Sequence, residues 1–335
     1  MFALACALMT TVTTTSPDRP LEGGRRLRDR LGDRILFLLT LLASLAAIGL
    51  IVLIAWKILQ SAHLALSKFG ISFLWGTTWD VNKAIFGAAP ALYGTLVTCA
   101  IAMVIATPLA LAIALFLSEL APQSIRVIVG SLVETLAAIP SVVLGLWGIL
   151  VLGPFVANHG VHWMDRWLGF IPFFNAAAGE NGSSSLFVAG LILAIMVVPI
   201  VASICRELFV SVPSELEEAA LALGATRWEM VRGVTLSSSR AGIAAALILG
   251  LGRALGEAIA VAQVIGAGYF IHWSLFGVGD TLASRIVSQY QGATTNLQIA
   301  SLFYLAAILL VIGLVTNLAA QLIIRRFHVH GTGAR

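Results

Sequence analysis

Three ionisable side chains, Glu134, Arg253 and Glu257, sit inside otherwise apolar runs of this chain. A charge at the centre of a bilayer costs about 2.5–3.5 kcal/mol even on the most lenient insertion scale, so such residues face protein or water and usually mark function. Arginine offers a planar, permanently charged fork that binds an oxyanion through two parallel hydrogen bonds. Arg253 and Glu257 are four residues apart, which on an unbroken helix places them on one face. One reading is a structural ion pair that fastens two helices. The other is an anion pathway in which Glu257, and Glu134 from another span, balance the guanidinium when no anion is present.

The components of other chemistries are missing. The three lysines, Lys57, Lys68 and Lys83, do not follow a glycine, so there is no G-x-x-x-x-G-K loop and any ATP is hydrolysed by another chain. Cys6, Cys99 and Cys205 are scattered without a C-x-x-C pair and read as packing residues. The six histidines make no i, i+4 ligand pair, so neither a metal site nor a cofactor is expected. No H-E-x-x-H or nucleophile–base constellation appears, which argues against an intramembrane enzyme.

A polar island, Pro213 to Arg240, interrupts the apolar sequence. Ser214 and Glu217 have capping-box spacing, and Thr226 and Glu229 repeat it, so two short helices are expected, the second from about Arg227 to about Val234. Gly224 between them can take positive φ and close the first. A DNA-reading helix-turn-helix would need a basic face, whereas the first helix carries Glu215, Glu217 and Glu218, so no nucleic-acid partner is expected.

The elements that position these groups must be membrane spans. The chain has 335 residues, 59% of them hydrophobic and 11% charged; its mean hydropathy is +0.98. Crossing about 30 Å of hydrocarbon takes about 20 apolar residues, and six stretches qualify, roughly 35–59, 91–118, 126–153, 186–210, 241–268 and 299–324. On that count Arg253 lies about 18 Å along the fifth, near the midplane. Five arginines from Arg25 to Arg34 precede the first span and hold the N-terminus inside, and an even number of spans returns Arg325 and Arg326 to the same side. Arg19, Arg126, Arg206, Arg227, Arg232, Arg240 and Arg335 also fall inside; Lys68, Lys83, Arg166 and Arg285 fall outside, with Lys57 near the outer end of the first span. This bias puts Pro213–Arg240 in the cytoplasm. The start, MFALACALM, lacks the basic region of a signal sequence. Pro140 is expected to bend the third span or free a carbonyl there. Gly250, Gly252 and Gly256 are spaced for close approach of a neighbouring helix, one that could belong to a second chain.

The outer loops carry Phe69, Phe73, Trp75, Trp79 and Phe86, then Trp163, Trp167, Phe170, Phe173 and Phe174, read as aromatic anchors at the headgroup level in preference to substrate contacts. Gly179 to Gly182 and the serines after them read as a flexible turn that could meet an external partner.

Glu218-Ala219-Ala220, then Gly224, then Val234-Thr235-Leu236 resembles the EAA loop of ABC importer permeases, with Val234 where isoleucine is common and Ser237 where proline is common. In that family the loop docks on the cytoplasmic ATPase, which implies a coupling role for Glu217, Glu218, Ala219, Ala220 and Gly224. From about residue 69 onward, further stretches resemble the PstC-type permeases of phosphate-specific ABC importers. They are Phe73 to Asp80, Phe86 to Pro90, Tyr93-Gly94-Thr95, Ala138 to Gly148 and Gly252 to Glu257, although Ala258-Ile259 replaces the expected Thr-Met.

The resemblance implies an all-α integral membrane protein of six transmembrane helices with the type I (MetI-like) permease architecture and both termini cytoplasmic. The implied organisation is a tail to residue 34, a first transmembrane helix over 35–60, a periplasmic loop over 61–90, a core over 91–324 with the coupling loop 213–240, and a tail over 325–335. It further implies a non-enzymatic subunit that moves phosphate through Arg253, Glu257 and Glu134 in the bacterial inner membrane. Its partners would be a second permease chain of PstA type, a dimer of ATP-binding subunits and a periplasmic phosphate-binding protein. An ABC permease for another oxyanion or small solute, or a channel or ion-coupled carrier working alone, is the alternative; the EAA-like loop argues against the latter.

Overall fold

The structure is a computed structural model that describes residues 23–174 and 182–329. The Thr- and Pro-rich start with Cys6, most of the Gly179–Gly182 turn and the last six residues lie outside the described residues. Contacts divide the chain into two units, Met1–Ile54 and Ala55–Arg335.

Helix α1, Gly23–Phe69, runs for 47 residues. It takes in the arginine cluster and also residues 61–69, expected as loop. The reason is local: Ser61 to Lys68 contains good helix formers, Ala, Leu and Lys, and no glycine or proline before Gly70.

In the second unit, α5 (Leu186–Val210) is the central helix, with Val188, Ile192, Val197 and Val201 fully buried. Its N-terminus is capped by Ser185, whose hydroxyl accepts the Val188 N–H at 3.2 Å. α2 (Ala89–Leu120) packs along it. The third expected span is two helices, α3 (Gln123–Ala138) and α4 (Ser141–Trp167). Ile139 is extended, with ψ 127°, and Pro140 opens α4. Proline lacks an N–H for the helix ladder and disfavours helical geometry in the residue before it, so the helix stops and does not merely bend.

The fifth expected span is broken too. α8 (Arg240–Gly256) ends where Glu257 turns extended at ψ 119°, and α9 (Ile259–Val264) follows. Gly250, Gly252 and Gly256 weaken the helix, while the Glu257 carboxylate accepts the Ala260 N–H at 3.2 Å and so supports the start of α9. The chain closes with α10 (Leu282–Tyr290) and α11 (Asn296–Val329). Among the described residues, five helices are long and apolar enough to cross a membrane: α1, α2, α4, α5 and α11. Arg227–Ser238 with α8, bent by 68°, makes a sixth if the pair counts as one span.

Two of the aromatics after α1 that were expected as headgroup anchors pack in the interior instead. Phe73 and Phe86 are buried. Phe73 stacks on Tyr304 at 4.4 Å between centroids, and Phe86 meets Trp79 edge-on at 4.9 Å. A two-stranded hairpin, β1 (Trp79–Asp80) and β2 (Ile85–Phe86), sets that contact by placing Trp79 opposite Phe86. Trp75, Trp163, Trp167 and Phe170 do stay exposed. Arg285, read as a loop cation, is buried in an ion pair with Asp280 at 3.3 Å, and its guanidinium lies 3.9 Å from the centre of the Tyr269 ring. Burial pushes the Asp280 carboxyl above its ordinary range, opposed by Arg285 and by bonds from Ser284 and the Thr281 N–H. The Tyr269 hydroxyl in turn donates to the Gly87 carbonyl, so this cluster seats the hairpin.

Candidate functional site

Arg253, in the last turn of α8, and Glu257, in the break after it, line one cavity of about 560 Å³. Ile200 of α5 and Asn317 of α11 complete its wall. The two charged residues therefore share a cavity without sharing a helix face, since α8 stops at Gly256. Among the described residues Arg253 has no carboxylate within 4.0 Å, so the expected pairing with Glu257 is absent. Glu257 is held instead by the Ala260 N–H. An exposed guanidinium with no carboxylate within 4.0 Å among the described residues has donors that an oxyanion could use.

Glu134 belongs elsewhere. Its carboxylate lies 3.9 Å from the Arg206 guanidinium, and the two line a separate, small cavity with Gly130 and Ser203. The break at Pro140 leaves Glu134 on α3, packed against the last turns of α5, so it does not balance Arg253. Of the three glycines, Gly250 is used inside the chain: a Cβ there would lie 2.8 Å from Val201 and 2.9 Å from Val197. Gly252 and Gly256 meet nothing within 4 Å, which leaves that side of α8 open beside Arg253. Asn317 escaped the sequence reading, although a lone carboxamide in the apolar run from Leu309 to Ala320 was the available signal.

The polar island forms α6 (Ser214–Ala222), a turn, and α7 (Arg227–Ser238). Gly224 has φ +88°, as its place in the turn requires. The second capping box forms: the Thr226 hydroxyl accepts the Glu229 N–H at 3.3 Å, and the Thr226 N–H donates to the Glu229 carboxylate at 2.8 Å. The first does not. Pro213 precedes α6 without a side-chain cap, and Glu217 accepts from the Thr235 hydroxyl at 3.1 Å, tying α6 to α7. That bond to a residue 18 positions away replaces the local one. No residue of α6 is buried, and Leu216, Leu221, Leu223 and Trp228 stay exposed around the turn. Glu218, Ala219 and Ala220 lie on this helix.

Residues 106–329 match the family described as a binding-protein-dependent transport system inner membrane component. The chain belongs to that family. It is thus an inner-membrane permease component of a transport system, and its relatives are transport permeases. The phosphate transport system permease protein PstC of Xylella fastidiosa is 37% identical over 94% of this chain and 98% of its own length. The PstC protein of Pasteurella multocida is 40% identical over 78% of this chain and 81% of its own. Among solved structures, a bacterial alginate ABC transporter, in complex with an alginate pentasaccharide-bound periplasmic protein, superposes with a TM-score of 0.59 at 19% identity. The match covers 89% of this chain and 96% of that one, and it supports the ABC importer permease fold.

Proposed function

We propose that this chain is the permease subunit of an ABC importer for inorganic phosphate and forms half of the translocation pathway. The observation that carries the reading is Arg253, without an ion-pair partner among the described residues and lining a cavity with Glu257. A guanidinium suits phosphate because its fork matches two oxygens at once, and relatives that this chain covers almost end to end are phosphate transport permeases by name. Glu134 enters this proposal only at a distance, as the partner of Arg206. The remaining half of the pathway comes from a second permease chain of PstA type, facing the open side of α8 at Gly252 and Gly256. ATP is hydrolysed by a separate pair of subunits, which dock on α6 and the Gly224 turn through Glu217, Glu218, Ala219 and Ala220, and phosphate is delivered by a periplasmic binding protein. The expected result is ATP-dependent phosphate uptake by vesicles that contain the chain with these subunits, and none when the chain is omitted. Equal uptake without it would sink the assignment.

The coupling role requires the turn at Gly224 to face the cytoplasm, with the tails before residue 35 and after residue 324 on the same side. A reporter fused after Arg240 is expected to read as cytoplasmic and one inserted near Gly182 as periplasmic. The opposite pair of readings would overturn the arrangement.

A further inference from the structure

Arg253 and Glu257 leave one polar group of the cavity without a task. From Asn296 to Leu322, α11 carries no Asp, Glu, Lys or Arg. Asn317 nevertheless lines the same cavity as Arg253 and Glu257. Its neighbour Thr316 closes on its own helix, the hydroxyl donating to the Ile312 carbonyl at 2.9 Å. Among the described residues the Asn317 carboxamide makes no such bond, and it is exposed. An amide at the depth of a span is costly against lipid, so it faces a ligand, water or another polar chain.

We infer that Asn317 is a substrate-contacting residue that helps the pathway distinguish a protonated oxyanion from a fully ionised one. The inference rests on reading the cavity as a phosphate path. At neutral pH inorganic phosphate carries both ionised oxygens and at least one P–OH, so it is acceptor and donor together. Arg253 supplies donors only, and the Glu257 carboxylate supplies acceptors only. A carboxamide is a neutral side chain that offers both, on separate atoms. Its N–H donates to a phosphate oxygen outside the reach of the guanidinium, and its oxygen, with Glu257, accepts from P–OH. Sulfate, which has no hydrogen to donate at this pH, would face the acceptors of Glu257 and Asn317 unmatched. Placement agrees with this division, because the three groups come from the end of α8, the break after it and α11, and so approach a tetrahedral ion from different elements.

The test compares wild type, Asn317→Leu and Asn317→Asp in the full reconstituted complex, as the initial rate of ATP-driven uptake of inorganic phosphate per assembled complex, from about pH 5.5 to about pH 8. Asn317→Leu should lower the rate roughly five- to tenfold at every pH, the loss of one ordinary hydrogen bond or slightly more. Asn317→Asp carries an ionised carboxylate across this whole range. Its rate should fall more than about tenfold at every pH tested, because the carboxylate either repels the anion or captures Arg253. In wild type, sulfate in excess should inhibit less than arsenate, a protonated oxyanion like phosphate, and Asn317→Leu should narrow that difference. A wild-type rate in Asn317→Leu would overturn the inference while leaving the phosphate reading intact. So would a fall in total uptake in both variants that is fully accounted for by loss of assembled complex, since that is the mark of a bond between permease chains. If the wild-type complex itself moves no phosphate, the phosphate reading falls and this inference with it.

Discussion

Arg253→Gln should insert and assemble as wild type does, yet transport phosphate roughly ten- to hundredfold more slowly, since hydrogen bonds to charged groups contribute about 1.5–3 kcal/mol and each 1.4 kcal/mol is tenfold. Normal insertion is expected because the guanidinium makes no ion pair among the described residues, so its removal strands no carboxylate there. Glu257 keeps its own bond from the Ala260 N–H and needs no cation to stay in place. Arg253→Lys should recover little, because it restores the charge without the fork. Uptake normalised to membrane-inserted protein decides the matter. Near-normal transport by Arg253→Gln would remove the pathway role, and a fall in inserted protein matching the fall in uptake would mark Arg253 as structural.

What could be read in the sequence divides by the range of the interaction responsible. Spans α1, α2, α5 and α11 are legible as apolar length alone, a summed property of many residues. The Thr226–Glu229 box is legible because both of its bonds close within four residues. Ser214 and Glu217 have the same spacing, but a hydroxyl on α7 competes successfully for the carboxylate, and nothing in the local sequence signals Thr235 as that competitor. Arg253 was visible as a charge where lipid would otherwise be. Its relation to Glu257 was not, because the four-residue spacing assumes a continuous helix and α8 ends between them.

Proline and glycine differ in how loudly they announce a break. Pro140 removes an N–H and restricts Ile139, so a disturbance near it was foreseeable even though a full stop was not. Gly256 lowers helix propensity by only about 1 kcal/mol relative to alanine, too little to predict a break without knowing that Glu257 would support the next helix. The aromatics show a third limit. Phe73, stacked on Tyr304, and Trp75, left exposed, stand two residues apart in one loop, and only the return of α11 distinguishes them.

Gly224→Ile should leave the chain inserted but disconnect ATP hydrolysis from transport, with uptake falling more than about tenfold while the assembled complex still hydrolyses ATP; the assumption is that the strain of about 1–2 kcal/mol for a side chain in left-handed geometry is relieved by moving the turn. The cause is conformational rather than steric. A Cβ at Gly224 would meet nothing within 4 Å, yet φ is +88°, where a β-branched residue is badly strained. Reopening the turn would shift α6 relative to α7, against the Glu217–Thr235 bond, and re-aim the exposed leucines Leu221 and Leu223 beside it. A graded series separates this cause from simple bulk. Asparagine tolerates left-handed geometry and should retain most coupling, alanine should lose part of it, and isoleucine nearly all. Glu218→Lys, which reverses charge on the same exposed helix without touching the turn, should weaken recovery of the ATPase subunit in a pull-down. If the isoleucine variant transports and binds the ATPase as wild type does, the turn is a passive connector and the coupling surface lies elsewhere on the chain.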